Sequence, residues 1–422
     1  MGGTQLGAVD TAVGLIDLGH EMIFATADGP LGGALRRNGV RFVDLPPAAR
    51  RRARLSALAG IAREVRPDVI HAYEVRSILD CCLMASMGPP IPVLGTILST
   101  RVPWFLPESL PLTVGMPNLA EFTRRWRSGP TTLVPPPVPM SIAGERSSLV
   151  KAGGPLEGRR LIILISRLVE PFKREGIMRA IEAMDELGGR GFGLLVVGDG
   201  PARPLYEGAA SSIRQRLGPE VIAFVGAVLD PGHLIEAADV IVGNGTSIIR
   251  GGMMGKPAVV VGREGFSAVV APETLPGLID RGFYGVGDGS STGDFLAEQV
   301  MASLAPERGN ELTVVSDELR ALYGREAVAS RLERELKDAS RGAPPGRGEM
   351  ARSLARMAHY RLLRVGLRSE ARRVGLDSEN ADNFVYGRLR DMALPPPRRG
   401  TGRNLGLELE LDTQEASDTP AH

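Results

Sequence analysis

Between residues 161 and 261 the chain repeats one pattern: a short apolar run, a break rich in glycine or polar residues, then helical text. The apolar runs occupy 161–165, 193–198, 221–224, 239–242 and 258–261. They are too short for amphipathic helices and have the length of buried strands. Strands alternating with helices at this spacing indicate βαβ units. They predict a parallel sheet covered by helices, with ligands at the carboxyl ends of the strands.

The first run leads into Ser166, Arg167 and, six residues beyond that arginine, Lys173 at the mouth of an expected helix over 174–187. Two cations at a strand end beside a helix N-terminus make a trap for a diphosphate, combining fixed charge, free backbone N–H groups and a favourable dipole. Alone, the pair reads equally well as solvated loop charge. The second run ends in Gly198-Asp199-Gly200-Pro201. The glycines permit a tight turn and close backbone approach, and Pro201 suits the first position of the next helix. An ordinary strand-to-helix turn has the same text. Then follow the strand closing at Gly226, a helix at 233–238, a strand at 239–242 and a turn at 243–246. A short helix at 247–254, Gly255-Lys256-Pro257 and a last strand at 258–261 complete the series.

These pieces, in this order, resemble the nucleotide-sugar-binding half of family 4 of the retaining glycosyltransferases. That family has a GT-B type fold, with two Rossmann-like doubly wound parallel-sheet domains facing a cleft. The matching text is Ile165-Ser166-Arg167…Lys173, Val197-Gly198-Asp199-Gly200-Pro201, Phe224-Val225-Gly226, Ala238-Asp239 with its apolar run, and Met254-Gly255-Lys256-Pro257. The first half is similar more loosely. Gly2-Gly3-Thr4-Gln5 opens a helix ending in Leu18-Gly19-His20-Glu21, ahead of a strand at 22–26. Pro67-Asp68-Val69-Ile70-His71 looks like the family's Pro-Asp-(apolar)2-His segment, with His71 at a strand end toward the cleft, in a structural or a functional role.

The resemblance implies transfer of a sugar from a nucleoside-diphosphate donor with retention, without a metal or any cofactor beyond that co-substrate. Arg167 and Lys173 are the implied catalytic residues, binding charge that develops on the leaving diphosphate. Gly198 and Gly200 would line the donor site, Phe224 and Gly226 would cup the base, and Thr246, Ser247 and Arg250 would lie beside ribose or phosphates. Gly2 and Gly3 would approach from the other domain.

Two departures stand out. The chain reaches Gly2-Gly3 without the strand that the family places before it, which reads as a start assigned downstream of the true one or else as a defective domain. The family's paired acids fall on Val242 and Arg250. An arginine donates hydrogen bonds and accepts none, so Arg250 cannot replace a carboxylate at ribose hydroxyls. The resemblance assigns it to a bacterial branch.

The remaining text sets limits. Net charge is +1, which argues against nucleic acid as a partner. The five histidines, at 20, 71, 233, 359 and 422, are isolated and have no metal-ligand spacing. Cys81 and Cys82 are adjacent in an expected helix and read as reduced core residues. No run approaches a membrane span, so the chain reads as cytoplasmic. Proline-rich text at 134–139 separates an N-terminal domain (1–145) from a nucleotide-sugar domain (146–316). A helix within 317–340 is expected to pack back across the cleft. Residues 341–422 comprise a linker, a basic helix at 350–374 and a disordered tail. That helix either packs on a domain or another subunit, or rests on anionic lipid at the inner membrane face. Trp104 and Phe105, in the loop 97–118, read as acceptor-stacking faces or as packing. Three other functions fit less of the text. A non-catalytic nucleotide-sugar-binding scaffold fits the Val242/Arg250 pattern, an epimerase lacks recognisable cleft acids, and a nicotinamide dehydrogenase lacks the strand-led glycine fingerprint.

Overall fold

The computed structural model describes residues 3–27, 30–46, 50–99, 101–140, 156–170, 173–228, 230–287, 289–375, 384–385 and 388. The chain divides into two compact units, Met1–Pro137 with Val328–His422, and Val138–Ala327.

In the first unit the chain runs α1 (Gly3–Asp17), β1 (Ile23–Thr26), α2 (Pro30–Arg37), β2 (Arg41–Asp44), α3 (Arg51–Val65) and β3 (Ile70–Tyr73). It continues through α4 (Glu74–Met87), β4 (Val93–Ile97), β5 (Leu112–Val114), α5 (Pro117–Trp126) and β6 (Thr131–Leu133). Strands β3-β4-β5-β6 form a parallel sheet in chain order, and β1 pairs in parallel with β2 in a separate sheet. Strands β4 and β5 are fully buried, whereas β1 and most of β3 are half-buried. Full burial is usual where a parallel strand has neighbours on both edges and helices on both faces, and β1 and β3 each have one strand neighbour. Cys81 and Cys82 are free thiols buried in α4, and burial pushes the Cys81 thiol up to about 12.

The second unit contains β7 (Arg160–Ile165), α6 (Arg174–Glu182), α7 (Met184–Leu187), β8 (Phe192–Val197), α8 (Arg203–Leu217), β9 (Ile222–Phe224) and α9 (Gly232–Ala237). Then come β10 (Val240–Gly243), α10 (Thr246–Met253), β11 (Ala258–Val261), β12 (Ser267–Val269), α11 (Leu275–Asp280), α12 (Gly293–Ser303) and α13 (Gly309–Tyr323). The sheet order is β12-β11-β10-β7-β8-β9, the doubly wound Rossmann order. Alternation along each strand splits the core into two layers. Ile162, Leu164, Leu194, Val196, Val240 and Val242 face α6, α8 and α12, while Leu161, Ile163, Leu195, Val197, Ile241 and Val260 face α9, α10, α11 and α13.

Three local readings shift. The expected helix at 174–187 is two helices meeting at Ala183. Pro204, not Pro201, stands in the first turn of α8. Strand β11 is not the last, because a tight turn at 262–266, with left-handed φ at Glu264 and Gly265, folds β12 back antiparallel along the sheet edge.

The chain then returns to the first unit through α14 (Arg325–Ser340) and α15 (Arg347–Arg373). Helical text at 317–338 is broken at Gly324, whose extended backbone forms a β-bridge with Val138. Helix α14 buries Val328 and Leu332 against Leu15, Leu94 and Val134. Helix α15 lays Met350, Met357 and Tyr360 against the α4 side of the first unit. Phe105 packs 5.2 Å from the Tyr360 ring and Trp104 packs 6.3 Å from His359, so both aromatics serve packing. The expected disordered tail lies outside the described residues, apart from 384–385 and 388. No described helix is long and apolar enough to cross a membrane.

Candidate functional site

The chain leaves β7 toward β8 and β9 on one side of the sheet and resumes with β10 and β11 on the other. Strands β7 and β10 are therefore neighbours whose connections diverge, and such a switch point opens a crevice at the strand carboxyl ends. Arg167 and Lys173 lie in the connection after β7. Asn244, Gly245 and the N-terminus of α10, with Thr246 and Ser247, lie after β10. The two connections are joined, because Lys173 Nζ donates a hydrogen bond to Asn244 Oδ1. The same ammonium lies 5.0 Å from the centroid of the Tyr284 ring. Asn244 is fixed in turn, donating to the Val261 carbonyl at 3.3 Å and accepting from Ser247 Oγ on its own carbonyl at 3.1 Å. Gly245 has a φ of 61°, and a Cβ there would lie 2.8 Å from the Tyr284 hydroxyl oxygen. Arg167 is exposed and Lys173 half-buried. Both cations are expected from the sequence, whereas Asn244 and Tyr284 are not among the residues that it assigns to the site. Asn244 lies inside the turn at 243–246, and Tyr284 is remote in sequence from both cations.

The glycines of the β8 connection are required by backbone contact. A Cβ on Gly198 would lie 1.8 Å from the Ser166 carbonyl oxygen, and one on Gly200 would lie 2.3 Å from that of Leu168. The two connections are laced by Ser166 N–H to Val197 O, Leu168 N–H to Asp199 O and Ala202 N–H to Leu168 O, each at 3.0 Å. Gly198 N–H also donates to Gly226 O at 2.8 Å, drawing in the connection after β9. This lacing fixes the backbone on both sides of Arg167. The Phe224 ring packs against the core layer, with the Arg214 guanidinium 5.5 Å above its centroid.

Arg250 is buried, and its guanidinium donates to Asp230 Oδ1 at 2.7 Å. That oxygen also accepts from Gly232 N–H, so the pair ties the connection after β9 to α10. Val242 is buried in β10 and faces the α6 layer. The turn after β11 is clamped from α6. Glu175 accepts from the N–H groups of Glu264 and Gly265, and buried Arg179 donates to the carbonyls of Gly262, Gly265, Phe266 and Ser290. Burial lowers the Arg179 pKa.

In the first unit Gly3 opens α1, and Gly2 lies outside the described residues. His71 is the second residue of β3, and its Nε2 lies 2.6 Å from Thr96 Oγ1, which lies 2.6 Å from the buried Thr113 Oγ1. Desolvation brings the His71 pKa down to about 3, so the ring is neutral at ordinary pH. A cavity of about 10 Å³, room for one water, is bounded by Thr11, His71, Tyr73, Thr96 and Thr113. Among the described residues no cluster of three His, Cys, Asp or Glu side chains is placed to hold a metal ion.

Residues 2–131 match the family model of the glycosyl transferase 4-like domain. The match falls on the half whose motifs were looser. The fold of the longer chain is similar to that of a glycosyltransferase from Rickettsia africae, at 15% identity and a TM-score of 0.63, covering 80% of this chain and 95% of that one. HepE from Anabaena, solved with UDP and glucose, aligns at 16% identity and a TM-score of 0.58 over 80% of this chain and 96% of its own. Sucrose-phosphate synthase from Thermosynechococcus elongatus aligns at 18% identity and a TM-score of 0.55, over 78% and 92%. No curated protein matches the chain. The architecture is therefore GT-B-like, with Rossmann-type α/β units.

Proposed function

We propose that this protein transfers a glycosyl group from a nucleoside-diphosphate sugar to an acceptor hydroxyl, with retention at the anomeric carbon. The observation that supports the reading is the bond from Lys173 to Asn244 beside the α10 N-terminus, with Arg167 in the connection after β7, at the switch point of the second unit. A diphosphate placed there would meet two fixed cations and the first N–H groups of α10. HepE, which shares the fold, has been solved with UDP and with UDP-glucose, in keeping with a nucleoside-diphosphate donor.

In the reaction, the bond between the anomeric carbon and the diphosphate oxygen breaks and a bond to the acceptor oxygen forms. The acceptor proton passes to the departing diphosphate. Charge grows on that leaving group, and Lys173 and Arg167 stabilise it more in the transition state than in the ground state. The cations of the chain take the part that a metal would otherwise play. Asn244 and Tyr284 hold Lys173 in place. Arg250 acts through Asp230, fixing the α10 end of the site relative to the connection after β9, where the base would sit.

One observation favours a second reading, a nucleotide-sugar-binding scaffold without turnover. Arg250 is engaged by Asp230 and Val242 is buried in the sheet, so neither position offers a carboxylate to ribose hydroxyls. A single experiment separates the two. Thermal shifts with UDP, GDP, ADP and dTDP, free and sugar-linked, identify the donor base, since ligand at 100 times its Kd adds about 2.7 kcal/mol. Release of nucleoside diphosphate is then followed in the wild type and in Lys173→Ala. Turnover lowered about 10²–10³-fold in Lys173→Ala supports the transferase. Stabilisation without any release supports the scaffold, and no stabilisation by any nucleotide sinks both.

A further inference from the structure

Helix α15 is apolar on two faces. Its inner face, Met350, Ser353, Leu367 and Ala371, is buried against the first unit and the short segment at 384–385. Its outer face carries Ala351, Ala355, Ala358, Leu362 and Val365, spaced three and four apart, and all five are exposed. Leu362 at 72% and Val365 at 68% are the two most exposed large apolar side chains among the described residues. A helix that merely faces water places charge along the centre of that face. Here the charge is displaced to the flanks. At 100° per residue, Arg361, Arg368 and Arg372 border the stripe on one side, His359, Arg352 and Glu370 lie on the other, and Arg347 and Arg373 cap its two ends.

The charge is also predominantly positive. Residues 361–373 hold five arginines and one glutamate. The two acids of the helix are engaged, since Glu349 accepts from the N–H and hydroxyl of Ser109, and Glu370 lies 4.0 Å from Arg388. Two copies of this face brought together would set their arginine flanks against each other, with no acid left to separate them. An anionic lipid surface satisfies both features, because acyl chains take Leu362 and Val365 while headgroup phosphates take the arginines.

We propose that the outer face of α15 docks this protein on an anionic membrane surface, lying in the interface without crossing it. The docking does not depend on the donor-site reading.

The test is co-sedimentation of the full chain with vesicles of phosphatidylcholine alone and of phosphatidylcholine mixed equally with phosphatidylglycerol. Binding is expected to the mixed vesicles only and to weaken as salt rises. Each arginine near the surface is worth about fivefold in partitioning, so Arg361→Gln/Arg372→Gln should lower it about 25-fold. Leu362→Asp/Val365→Asp should lower it at least about tenfold through lost apolar insertion. Both pairs lie on the exposed face, so circular-dichroism melts should match the wild type, confirming that folding is intact. Equal sedimentation with both vesicle types, or binding untouched by either double variant, overturns the proposal. A dimer in light scattering that Leu362→Asp/Val365→Asp dissolves would assign the face to a second copy and overturn it as well.

Discussion

The two units use parallel sheets in different ways. In the second unit the strand interiors are almost wholly apolar, and the polar chemistry lies at the strand ends, in the connections after β7, β8, β10 and β11. In the first unit polar groups sit inside the sheet itself, where His71, Thr96 and Thr113 form a hydrogen-bonded ladder across three neighbouring strands. A sheet covered on both faces and apolar throughout can present charged side chains at its edge without destabilising its core. A ladder of buried hydroxyls and a neutral imidazole makes its stability depend on every member keeping its partner. The second unit can thus lose a charged side chain at a strand end and keep its fold, whereas the first unit cannot lose a ladder residue without cost.

Three measurements break or sharpen that contrast. The largest structural effect is expected where the second unit has no tolerance, in the laced backbones beneath the site. Gly198→Ala should destabilise it by about 3 kcal/mol or more, since the new Cβ meets the Ser166 carbonyl and the residue has a φ of 142°. Denaturant unfolding measures this, and a loss below about 1 kcal/mol would show that the lacing yields. Next comes Thr113→Val, which keeps the side-chain volume and strips the hydroxyl from the ladder. The Thr96 hydroxyl then loses a partner, and stability should fall by about 1–2 kcal/mol. Nucleotide binding by the second unit should be unchanged, and an equal loss of binding would contradict the separation of roles.

The most gradual effect is a pH dependence. His71 titrates at about 3 in the folded chain against 6.5 when unfolded, because burial disfavours its charged form. Below pH 6.5 the unfolded state therefore binds more protons than the folded one. The stability contributed is present in full above 6.5 and declines as pH falls toward 3, by at most about 1.4 kcal/mol per pH unit. His71→Gln should reduce the slope of melting temperature between pH 6.5 and 5. Identical slopes in both proteins would mean that other groups control the acid response.

Much of the second unit was legible in the text. Apolar runs closed by glycine, with helical stretches between them, predicted β7, β8, β9, β10 and β11 and the position of Arg167 and Lys173 at strand ends. What escaped was short or remote. Strand β12 has three residues and exists because the turn at 262–266 reverses the chain. Gly324 reads as a minor interruption of one helix, yet its bridge to Val138, remote in sequence, makes two. Asp230, which engages Arg250, carries no motif of its own. The resemblance implies a donor-lining role for Gly198 and Gly200, and the structure gives them an independent reason in the carbonyls of Ser166 and Leu168.

The residue order by itself determined the alternation of strands and helices, the parallel class of the sheets and the clustering of cations after one strand. Those are properties of local period and of side chains near each other along the chain. Only the tertiary structure decided which loops meet at the switch point, that Lys173 is held by Asn244 beside Tyr284, that Arg250 is engaged by Asp230, and which face of α15 is left outside. Each of these depends on pairs distant in sequence, and their contacts exist only once the apolar layers have set the order of the strands.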